Sequence, residues 1–85
     1  MAVRRMGRAN QELLDAADLL VEEWTDVPTG SVLRCFSRSV WIVRGKGCPP
    51  DRVAAEAMSL ARALLGLRAA MVAEQRPAAG EIPPG

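Results

Sequence analysis

Residues 31–45 read SVLRCFSRSVWIVRG, and the fold turns on whether this valine-rich stretch is a strand or a helix. A half-buried strand would alternate apolar and polar side chains, and the stretch does not. A period of 3.6 residues fits better: it gathers Val32, Leu33, Phe36, Val40 and Val43 on one face, with Cys35, Ser39 and Ile42 on its flank. The stretch is therefore expected to be a helix over residues 30–45. Pro28 disfavours helical geometry at Val27, the hydroxyl of Thr29 is placed to cap the first turn, and Gly45 and Gly47 close the last one.

The same period organises both neighbouring segments. Upstream, Leu13, Leu14, Ala17, Leu20, Val21 and Trp24 form one stripe, which predicts a helix over 10–25 with Asn10 as its N-cap. Downstream, Pro49-Pro50-Asp51 puts proline and an acid in a first turn, where a missing N–H is harmless and negative charge is favourable. A third helix is expected over 49–75. Its buried face is read as Val53, Ala57, Leu60, Ala61, Leu64 and Leu67, widened by Ala54, Met58 and Leu65. Arg68 falls in the middle of that stripe, so the packed part should stop near Leu67 and the helix should protrude toward Gln75.

Three amphipathic helices joined by short loops predict an all-α fold, a single-domain three-helix bundle over residues 10–76 with Trp24 and Phe36 as its bulky core residues. Flexible termini complete the expectation: a mobile basic segment at 1–9 and a disordered tail at 77–85, rich in proline and glycine. With 85 residues, 49% of them hydrophobic, one small core is affordable and a second domain is not.

Composition also excludes chemistry. With no histidine, the usual general base near neutral pH and the commonest metal ligand are missing, so no catalytic residue, metal site or cofactor is expected. Cys35 and Cys48 are separated by most of a helix, roughly 20 Å at the helical rise, against the roughly 4.4–6.8 Å a disulfide needs between α-carbons. Two unpaired thiols suit a reducing cytoplasm, and no apolar run is long enough for a signal peptide or a membrane span. Gly45-Lys46-Gly47 lacks the full phosphate-loop pattern and reads as a turn. Cys48 is the one residue with redox potential, since it precedes a helix and lies near Lys46 and Arg44. A loop cysteine without a role is the plainer reading.

The net charge of +1 conceals a segregated pattern. Residues 10–26 carry six acids and no base, whereas residues 27–48 carry Arg34, Arg38, Arg44 and Lys46 and no acid. At 100° per residue the three arginines lie on the polar side of the second helix with Trp41 among them. An aromatic framed by guanidinium groups has the composition of an interface hot spot, and it also suits stacking on a base while arginines hold phosphates. The alternative is a Trp41 covered by a terminal segment, by the end of the third helix or by its own arginines. Leu19, projecting among Glu12, Asp15 and Glu23, makes a weaker apolar point on the acidic helix.

The stretch Val27-Pro-Thr-Gly-Ser-Val-Leu-Arg-Cys35, followed by an arginine-containing helix, a Gly/Pro turn and an Ala/Glu-rich helix, resembles short actinobacterial proteins of three-helix form over about half the chain. The resemblance implies the bundle and no activity. The functional expectation is a non-enzymatic module that binds a protein partner, or itself, through Arg34, Arg38, Trp41, Arg44 and Lys46. The second expectation is a nucleic-acid-binding accessory protein using the same face with Arg4, Arg5 and Arg8. A helix-turn-helix reader is disfavoured, because Asp51, Arg52, Ala55, Glu56 and Ser59 on the third helix are poorly suited to base edges.

Overall fold

The computed structural model describes residues 8–75, with side chains from Asn10 onward. Helix α1 spans Arg8–Glu23, α2 spans Thr29–Gly45, and a 3₁₀ turn at Pro50–Arg52 leads into α3, Val53–Gln75. The protein is an all-α three-helix domain, with no strand among the described residues. The segments 1–7 and 76–85, where mobile ends were expected, lie outside the described residues.

The helix boundaries differ from the sequence expectation in instructive ways. Asn10 is no cap, because α1 already runs through Arg8 and Ala9, which contain no breaker. The other end of α1 comes at Glu23 rather than Thr25. Trp24 N–H still donates to the Leu20 carbonyl at 3.0 Å, and residues 24–28 are then used to reverse the chain ahead of Pro28. Thr29 is the first residue of α2 and its hydroxyl makes no cap. The Pro28 carbonyl opens the helix instead, accepting from Ser31 N–H at 2.9 Å and Val32 N–H at 3.2 Å with the proline at φ −54° and ψ 137°.

The end of α2 is a Schellman motif. Gly47 N–H donates to the Arg44 carbonyl at 3.0 Å, and Cys48 N–H reaches back to Val43 at 3.2 Å. The motif needs a left-handed residue at Gly47, whose φ is +84°, and glycine adopts that conformation without a β-carbon clash. The third helix was expected from residue 49; the prolines instead open the 3₁₀ turn, with Arg52 N–H donating to the Pro49 carbonyl at 2.9 Å, and α3 follows from Val53.

The core contains Ala16 and Leu20 from α1, Val32, Phe36, Ser39 and Val43 from α2, and Val53, Ala57, Ala61 and Leu65 from α3. Several residues read as core are exposed: Leu14, Leu33, Leu64 and Leu67. The reason is angular. Helix α3 packs on both other helices, so its buried arc centres on Ala57 and Ala61, and Leu67 lies about 120° from Ala61 at 3.6 residues per turn. Burial ends at Leu65 rather than Leu67, and every described residue from Leu67 onward is exposed. Trp24 is half-buried against the cluster rather than central to it.

Helices α2 and α3 approach most closely, and α1 and α2 least. Small side chains accompany the first: Ser39 of α2 and Ala57 and Ala61 of α3 are all fully buried, and the Ser39 hydroxyl donates to the Cys35 carbonyl one turn back at 2.9 Å. That local bond lets a polar side chain sit inside without an unpaired donor.

Candidate functional site

Trp41 is 78% exposed, the most exposed of the large hydrophobic side chains among the described residues. Neither the end of α3 nor any other described segment covers it. Its place follows from the register of α2: Phe36 and Val43 are driven into the core, and five residues past Phe36 the helix has turned Trp41 to the outside. Arg38 and Arg44, each three residues from Trp41, share the two shallow depressions beside the ring. One is formed with Ile42, the other with Ile42 and Gly45. Arg34 is on the same outer side two turns earlier, about 10 Å along the axis, and lines neither depression.

Lys46 is not brought to this place. It belongs to the Schellman turn and lines a separate cavity with Val43, Cys48, Pro49, Arg52 and Glu56. Ion pairs among the described residues join Arg62 to Glu23 and Arg52 to Glu56, and neither uses an arginine of α2. The guanidinium groups around Trp41 therefore face outward without a carboxylate partner among the described residues. Arg4 and Arg5 of the second expectation, and the side chain of Arg8, lie outside the described residues.

The cysteines are both free and both half-buried. The Cys48 thiol is directed at the Pro49 carbonyl at 3.6 Å, inside the cavity that Lys46 shares. The Cys35 thiol points at α3, 3.9 Å from the Ala61 carbonyl. Burial pushes its pKa above the ordinary thiol value, opposed by the positive charge of Arg68 and by a hydrogen bond with Ser39. No cluster of three or more metal-ligating side chains occurs among the described residues, and no described helix is long and apolar enough to cross a membrane.

One feature was assigned wrongly from the sequence. Where α1 and α2 diverge, Leu13, Leu14 and Ala17 face Leu33, Phe36 and Val40 across an open apolar groove. Leu14 and Leu33 were read as core, and they form its exposed edges, 47% and 40% accessible. The signal in the sequence was the width of the two stripes, which are broader than one helix contact can bury.

Compared with protein-family models, with curated proteins and with solved structures, the chain finds no match.

Proposed function

We propose that the chain is a non-enzymatic helical interaction module that holds a protein partner through Trp41, framed by Arg34, Arg38 and Arg44, in a reducing cytoplasm. The observation that carries this reading is the exposure of Trp41, 78%, on a helix whose opposite face builds the core. A tryptophan in water gains free energy when a partner buries it, and such residues beside arginine dominate the binding energy of interfaces. The matching surface on a partner is an apolar pocket edged by carboxylates, which the unpaired arginines would meet with charge-assisted hydrogen bonds.

Nucleic acid is the second reading, favoured by the same exposed ring as a stacking platform. It is the weaker one, since the acids of residues 10–26 would repel a phosphate backbone approaching the bundle. The test is affinity capture from a native extract with the intact chain and with its Trp41→Ala and Arg38→Glu variants, alongside titration with a labelled oligonucleotide at rising salt. Loss of one protein partner in both variants is the expected result. An unchanged set of partners sinks the first reading, and oligonucleotide binding that weakens steeply with salt replaces it with the second.

A further inference from the structure

The groove between α1 and α2 and the edge that carries Trp41 face the same way. The sense of α2 is set by Cys35, which reaches Ala61 of α3, so Leu33 and Val40 on the opposite flank turn toward α1. Continuing round the helix beyond Val40 come Arg44, Ser37, Trp41 and Arg34. On α1, Glu23 marks the side facing α3 through its 3.1 Å contact with Arg62, and Leu14, Val21 and Asp18 turn the other way. The face remote from α3 therefore has an apolar floor, an acidic helix along one edge, and a basic helix with a projecting tryptophan along the other.

Such a face complements itself. A two-fold contact uses the same patch on both copies, so it needs a knob and a hollow, and a positive and a negative edge, within one patch. All four are here. We infer that the partner of this face is a second copy of the chain, packed about a two-fold axis that runs along the groove, with α1 of each protomer lying on α2 of the other. The inference rests on the reading of Trp41 as an interface residue.

Charge selects this arrangement over its rival. A two-fold axis across the groove would lay α1 on α1, bringing together the Asp15, Asp18 and Glu22 edges of the two copies. An axis along the groove lays that acidic edge on Arg34 and Arg44 of α2. The register follows from the short turn at residues 24–28, which makes α1 and α2 antiparallel, so that residues equally far from the turn stand level. Counted from the turn, Trp41 is level with Gln11, one turn before Leu14, and Arg34 is level with Asp18. In the dimer Trp41 packs on the Gln11–Leu14 turn of the other copy and Arg34 pairs with its Asp18.

Sedimentation equilibrium over a concentration series tests this on the full chain. The intact protein should pass from 9.1 kDa to twice that mass. Trp41→Ala, Asp18→Arg and Arg34→Asp should each weaken dimerisation at least about tenfold, and the exchanged pair Asp18→Arg with Arg34→Asp should regain most of it. Helical circular dichroism establishes that each variant is folded, as expected for exposed positions. A dimer indifferent to Trp41→Ala, or an exchanged pair no better than its single variants, overturns the inference. A chain that stays monomeric while capture of a different protein still depends on Trp41 overturns it too, yet leaves the proposed function standing. A monomer whose partners ignore Trp41 overturns both.

Discussion

The benzo edge of Trp24 lies 4.0 Å from the point where a β-carbon on Gly66 would stand. That is ordinary van der Waals contact, and Gly66 sits in the interior of α3 without a positive φ. Glycine there costs roughly 1 kcal/mol relative to alanine through backbone entropy. Gly66→Ala should stabilise the fold by about 0.5–1 kcal/mol, raising the melting temperature by several degrees in a scan. A lower melting temperature would mean that the ring cannot take the methyl group.

The indole Nε1 of Trp24 is buried and has no hydrogen-bond partner among the described residues. An unpaired buried donor costs about 1–3 kcal/mol, which offsets much of what the larger ring contributes by contact. Trp24→Phe should therefore change stability by less than about 1 kcal/mol, whereas Trp24→Ala, which also empties the space, should cost about 2–4 kcal/mol. Urea unfolding of the two variants separates these outcomes. Equal losses would show that the N–H is paired in solution.

Cys35 links the α2–α3 contact to alkaline pH. Burial raises its pKa in the fold above the ordinary 9.0. The fold thus favours the protonated thiol, and this contribution is fully present below the unfolded value and lost as pH rises through the folded one. With no tyrosine and a single lysine, few other groups titrate in that range. Stability should hold up to about pH 8 and decline above about pH 9, and Cys35→Ala in a Cys48→Ala background should flatten the decline. The same slope in both proteins would assign it elsewhere.

The Arg62–Glu23 pair at 3.1 Å ties the end of α1 to the middle of α3, with both side chains nearly half-exposed. Solvent and salt screen such a pair, so its worth is below about 1 kcal/mol. Arg62→Ala should destabilise the protein modestly in dilute buffer and negligibly in about 1 M salt, where the screening length is near 3 Å. A loss that persists at high salt would point to packing of the arginine stem instead.

The architecture was legible because its signals are local. The 3.6-residue spacing from Val32 to Val43, the proline before α2 and the glycine after it are all readable without knowing where any other helix lies. The composition of the interior was less so. Hydropathy ranks Leu14, Leu33, Leu64 and Leu67 above Ala16 and Ser39, but a close helix contact selects for size, and the hydroxyl of Ser39 is satisfied within its own turn. Likewise, the placement of Trp41 among arginines followed from angular arithmetic on α2. Its exposure did not, since that depends on where α1, α3 and their turns come to rest. The groove needed two helices at once, and Lys46, five residues past Trp41, comes out about 140° away round the helix, on the side where Cys48 and Pro49 lead into α3.

The small buried side chains of Ser39, Ala57 and Ala61, on the two helices that meet most extensively, impose an asymmetry on how this protein can vary. These side chains are already near the smallest available, so replacement by glycine or alanine removes little volume, while any added methylene must push two backbones apart. Substitution at the heart of the molecule is a valve that refuses growth, while reduction costs little beyond the roughly 1 kcal/mol of a helical glycine. Room to acquire new chemistry lies on the outside, where the flank of α2 that bears Trp41 stands uncovered.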